Sequence, residues 1–116
     1  MKKRFIVKYS PIFEEQLRQL RETIREEDMK FHRQLLKAIE REKDCLLLNP
    51  HHGIQIEKIK IPKEYITDYG LNNLWKVDLP GYWRLMYTIT GNELEIISIL
   101  LEFMDHKKYD KLFGYR

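Results

Sequence analysis

The sequence predicts an α+β fold: an antiparallel sheet with an N-terminal strand, a helical hairpin packed on one face, and a short C-terminal helix. Three observations carry this. Between residues 11 and 48, apolar side chains recur at steps of three and four, the period of helices with one buried face. Between residues 73 and 102, β-branched and aromatic residues fall into three runs split by Pro80-Gly81 and Gly91-Asn92, which leaves room only for tight turns. Residues 4–9, RFIVKY, add a strand at the start. A chain of 116 residues is expected to form one domain over 1–116.

The elements follow in order. Ser10-Pro11 starts a helix, because serine caps free backbone N–H groups and proline fits the first helical position. Phe13, Leu17, Leu20 and Ile24 form its apolar stripe, and Glu14 and Glu15 suit the positive end of its dipole. The polar run Arg25-Glu26-Glu27-Asp28 carries the turn. A second helix places Phe31, Leu35, Ala38 or Ile39, Glu42, and Cys45 or Leu46 on one side, and Asn49-Pro50 ends it. Residues 51–61 alternate imperfectly and read as an edge segment or an irregular extended arm. Residues 62–70 read as a short helical turn closed by Gly70. Strands at 73–79, 82–90 and 93–102 form a meander, and a helix at about 104–113 closes the chain.

Composition narrows the function classes. No apolar run reaches the ~18 residues that suggest a membrane span. The Phe5–Val7 run is too short for the core of a signal peptide. The single cysteine, Cys45, has no internal disulfide partner, which suits a reducing, cytoplasmic setting. The net charge of +3 permits a nucleic-acid partner but does not demand one. His51-His52 are adjacent, point in different directions and lack a third ligand in sequence, so no metal site and no cofactor is expected.

Strand parity singles out one arginine. Trp83, Leu85 and Tyr87 share a face, while Arg84, Met86 and Thr88 share the other. The first set is expected to join Phe13, Leu17, Leu20, Phe31, Leu35 and Ile97 in one core, leaving Arg84 on an open face. His106 and Tyr109 follow the last strand. They reach Arg84 only if the chain turns back near 103–105, since a straight strand at ~3.3 Å per residue would overshoot it. Each candidate also has a plainer reading. Arg84 can be a solvent-facing ion-pair partner. His106 can pair or cap beside Asp105, and Tyr109 can pack on Phe113. Lys58, Lys60 and Lys63 read as an RNA-lining stripe or as a solvated face.

The element order, the run NLWKVDLPGYWRLMYTI and the closing DHKKY resemble the RelE/ParE family of bacterial and archaeal toxins. The family's strand motif of glycine, arginine, two apolar residues and tyrosine stands here as Gly81-Tyr82-Trp83-Arg84-Leu85-Met86-Tyr87, with one residue inserted before the arginine. The resemblance implies the toxin of a type II toxin–antitoxin system, of the RelE-like branch. Its partners would be a cognate antitoxin, the ribosome and mRNA, with no membrane. Its activity would be ribosome-dependent, metal-independent mRNA cleavage by Arg84, His106, Tyr109 and Lys76, with Lys58, Lys60 and Lys63 along the RNA. The chemistry fits those residue types. Guanidinium holds phosphate oxygens, imidazole exchanges protons near neutral pH, and a phenol donates a hydrogen bond or stacks on a base. Asp78 departs from the pattern, since a second lysine often stands there; it either faces away or acts as a base. The alternative is a ParE-like or catalytically degenerate toxin that binds a protein such as gyrase without cutting RNA.

Overall fold

The computed structural model describes residues 2–115. Strand β1 (Arg4–Tyr9) runs through Ser10 into helix α1 (Pro11–Glu27). Ser10 works twice: its Oγ accepts from Phe13 N at 3.0 Å and donates to Leu101 O at 2.6 Å, so the cap also fastens the helix start to the sheet. The turn is shorter than the polar run suggested. Helix persists to Glu27, and Asp28 alone takes the left-handed conformation that ends it. Helix α2 (Lys30–Leu48) stops at Asn49, ahead of Pro50.

The segment after α2 is an irregular arm. It holds only a two-residue strand, β2 (Ile54–Gln55), and a 3-10 turn at Lys58–Lys60. Its alternating isoleucines divide: Ile54 and Ile59 are exposed, Ile59 at 91%, whereas Ile61 is buried and Ile56 packs beside it on the second face of the sheet. Helix α3 (Lys63–Tyr69) ends on a left-handed Gly70. Strands β3 (Trp75–Leu79), β4 (Trp83–Gly91) and β5 (Glu95–Met104) then form the meander, and helix α4 (His106–Phe113) follows.

The sheet order is β1-β5-β4-β3-β2. The meander is antiparallel as expected, but β1 pairs with β5 in parallel. A two-helix excursion separates β1 from the later strands, so β1 is not tied to its neighbour by a hairpin turn and joins the free edge of β5.

One face of the sheet carries the helical hairpin. Phe13, Leu17, Leu20, Leu35, Ala38, Ile39 and Leu46 pack on Val77, Leu79, Leu85, Tyr87, Leu100 and Phe103, with Phe31 and Trp83 half-buried at the rim. Ile97 is the exception to the expected core. The β4–β5 register jumps from Met86↔Glu102 to Tyr87↔Leu100, so Leu101 is an extra residue that reverses the parity of everything before it in β5. Ile97 therefore pairs with Thr90, on the face away from the hairpin.

That second face is not open, contrary to the parity argument. Ile61, Tyr65, Leu71, Leu74, Met86, Leu101, Met104 and Tyr109 form a second core under α3 and α4. The apolar side chains that parity turns away from the hairpin, Met86 and Met104 among them, would otherwise sit in water. Among the described residues no helix is long and apolar enough to cross a membrane.

Candidate functional site

The site lies where the second core stops, on the outer ends of β3 and β4. Lys76 and Asp78 alternate along β3 and so share a face, and Asp78 is the cross-strand partner of Arg84. Both cations meet the same carboxylate oxygen: Lys76 Nζ and Arg84 Nε lie 3.0 and 3.1 Å from Asp78 Oδ1. Asp78 thus does not face away. Its carboxylate is largely exposed, whereas the side chains of Lys76 and Arg84 retain only 16% and 18% of their exposure.

Tyr109 forms the floor beneath the two cations. Arg84 Cζ lies 5.1 Å and Lys76 Nζ 5.8 Å from its ring centroid, within cation–π range. The chain reaches this position because β5 ends at Met104 and Asp105 caps α4, accepting from Lys108 N at 2.9 Å. The helix then runs back over the sheet, and its fourth residue, Tyr109, meets the arginine. Tyr109 is also a packing residue, stacked on Phe113 at 4.4 Å and only 6% exposed. Burial pushes its phenol above the usual tyrosine range, with Tyr115 adding to the shift and the Arg84 charge opposing it. At neutral pH it is a hydrogen-bond donor and a π-face, not a base.

Arg84 is oriented from its own strand end. Its Nη1 donates to Tyr82 O at 2.7 Å and to Trp83 O at 3.3 Å. Its Nε is buried and close to Asp78, yet makes no aligned hydrogen bond. An anion with better geometry would complete that hydrogen bond.

The Pro80-Gly81-Tyr82 turn shapes the rim. Gly81 has φ 69°, and a Cβ there would meet Phe31 Cε1 at 2.7 Å. Tyr82 also has a positive φ, 64°, which a bulky side chain rarely adopts. The strain holds an exposed phenol at the rim, with its ring 6.3 Å from that of His106 and edge-on to it. Asp78, Leu79, Gly81, Tyr82 and Arg84 line a shallow depression of about 610 Å³.

Of the residues expected to act together, Lys76, Arg84 and Tyr109 converge. His106, exposed on the first turn of α4, stands beside Tyr82 at the rim; the cap is Asp105. Lys58, Lys60 and Lys63 are exposed on the arm and at the start of α3, and Lys60 pairs with Glu57 at 3.6 Å. Sequence reasoning missed Tyr82, which it read as the first residue of a strand. The available signal was the preceding Pro-Gly pair, which demands a turn with left-handed residues.

A family model described as the ParE toxin of the type II toxin–antitoxin system parDE matches residues 7–105. The match spans Lys76, Asp78 and Arg84 and stops just before His106. No curated protein and no solved structure matches the chain.

Proposed function

The chain belongs to the ParE toxin family of type II toxin–antitoxin systems, and from that premise we propose that it poisons translation by cutting ribosome-bound mRNA. The observation that carries this reading is the convergence of Lys76 and Arg84 on one oxygen above the Tyr109 ring. Two half-buried cations fixed on adjacent strands form a cradle for a phosphate. Asp78 Oδ1 occupies the place a phosphate oxygen would take, and an arriving RNA phosphate would displace this partly exposed carboxylate from the two cations.

The cut would use the RNA's own 2′-hydroxyl. As the 2′-oxygen attacks phosphorus, negative charge grows on the phosphoryl oxygens, and Arg84 and Lys76 stabilise it. His106, at the rim, exchanges the proton between the attacking and leaving oxygens. The 5′-oxygen leaves with a proton, giving a 2′,3′-cyclic phosphate and a 5′-hydroxyl. Tyr109 fixes the guanidinium plane, and Tyr82 offers a face for base stacking. Lys58, Lys60 and Lys63 give the arm a basic surface for the flanking RNA.

A second reading, binding to a protein target such as gyrase, is favoured by one observation: Asp78 neutralises part of the cradle where RNA cutting would gain from another cation. Purified chain added in parallel to a translating extract and to a DNA supercoiling assay separates the two. Cleaved mRNA with unaffected supercoiling supports the first reading, and the reverse supports the second. In either case family membership implies an antitoxin partner. The exposed Leu47, Leu48, Ile54 and Ile59 on and beside the arm offer apolar anchors for one.

A further inference from the structure

The turn after α2 brings together three side chains that play no part in the Arg84 cluster. Glu42 and Cys45 are one helical turn apart on α2 and so project from the same face. Beyond the helix the chain doubles back. His52 N donates to Asn49 O at 3.0 Å, and His51 N donates to Asn49 Oδ1 at 3.0 Å. This returns His52 onto α2, with its Nε2 2.7 Å from Glu42 Oε2. One ligand atom from each of Glu42, Cys45 and His52 lies within 4.8 Å of the other two.

The turn is held, not loose. Tyr87 donates its hydroxyl hydrogen to Pro50 O at 2.8 Å and accepts from Gly53 N at 3.0 Å. Gly53 is pressed so close to β3 and β4 that a Cβ would lie 2.5 Å from Lys76 O. His52 is thus placed by the packed sheet itself. Its neighbour His51 points elsewhere, edge-on to Trp75 at 5.3 Å.

We propose that Glu42, Cys45 and His52 bind a divalent metal ion of borderline softness, zinc being the ion that fits. A thiolate, an imidazole and a carboxylate are the donor types zinc accepts, and three protein ligands leave the fourth tetrahedral position to water. Zinc–ligand bonds of ~2.0–2.3 Å set donors about 3.3–3.8 Å apart, so on binding the hydrogen-bonded Glu42–His52 pair, now 2.7 Å apart, opens by roughly 0.6 Å or more while the wider separations, all within 4.8 Å, close by up to about 1 Å. Side-chain rotation supplies that. Glu42 is sheltered while His52 is more open, so the ion has a way in from solvent. The adjacent histidine pair alone does not reveal this site, because the other two ligands come from the preceding helix. The bound ion would clasp the end of α2 to the entry of β2.

The test titrates the full chain, stripped with a chelator, with Co²⁺ and then Zn²⁺. Wild type should take one equivalent of Co²⁺ with thiolate-to-cobalt charge-transfer absorption, lose it to Zn²⁺, and melt at higher temperature with Zn²⁺ present. Cys45→Ser, nearly isosteric, should lose the charge-transfer band. His52→Gln should weaken Co²⁺ binding by about tenfold or more, and His51→Gln should bind as wild type does. Circular dichroism establishes that each variant is folded. A wild-type chain with no charge-transfer band and no zinc-dependent melting shift would overturn the proposal. So would binding that depends on His51 rather than His52.

Discussion

At the scale of single residues, Asp78 stands between two cations and decides what else they can hold. If it holds the place of a phosphate oxygen, Asp78→Asn removes a competing anion and should raise affinity for a short single-stranded RNA several-fold at low salt. The gain should shrink as salt rises. Affinity that falls or stays level in a binding titration would remove Asp78 from that role. Tyr82 makes a separate demand. A tyrosine at φ 64° is strained by roughly 1 kcal/mol or more. Tyr82→Gly should therefore unfold at equal or higher denaturant concentration while cutting RNA less well. A Tyr82→Gly protein as active as wild type would mean that the strain serves only the turn. Arg84 and its parity were legible in the sequence, because a charge alternating with aromatic residues on a strand has only one face to occupy. The pairing through Asp78 was not, because cross-strand register depends on the length of the turn and not on either strand alone.

At the scale of elements, the helical hairpin was readable from its stripes, and its energetics follow. Leu17 is 4% exposed in the core between α1 and the sheet, and Leu17→Ala should cost about 2–5 kcal/mol in urea unfolding. A loss under 1 kcal/mol would mean that the hairpin packs more loosely than its burial implies. The second core was not readable. The parity of β4 correctly separated Met86 from Leu85, but the fate of that face depended on α3 and α4 folding over it. A single extra residue at Leu101 reversed the parity of half of β5, and no pattern in an apolar run such as Ile96-Ile97-Ser98-Ile99-Leu100-Leu101 marks where a bulge falls. The arm at 51–61 read either as an edge segment or as an irregular arm, and it is mostly the latter, with one short stretch at the sheet edge. Its alternation was apolar enough, but only Ile54–Gln55 finds a neighbour along β3.

At the scale of the whole molecule, buried phenols tie stability to high pH. Burial pushes Tyr87 up to about 12 and also raises Tyr65 and Tyr109. The folded chain then holds protons that the unfolded chain gives up near ~10, so stability is whole below that pH and falls as pH rises through about 12. Urea midpoints measured from pH 9 to 12 should fall, and Tyr87→Phe, though less stable at pH 9, should flatten part of the fall. Wild-type and variant curves that stay parallel would contradict this. Above the fold stands the proposed mRNA cleavage, which would rest on one cradle built from two strands and a returning helix. The measurement that bears on it most directly is mRNA cleavage in a translating extract by wild type and by Arg84→Ala, with circular dichroism to establish that both are folded. The cradle predicts site-specific cuts by the wild type and a rate lower by about 10²–10³-fold in the variant. Wild-type protein that halts growth without cutting, or an Arg84→Ala protein that cuts at the wild-type rate, would contradict it.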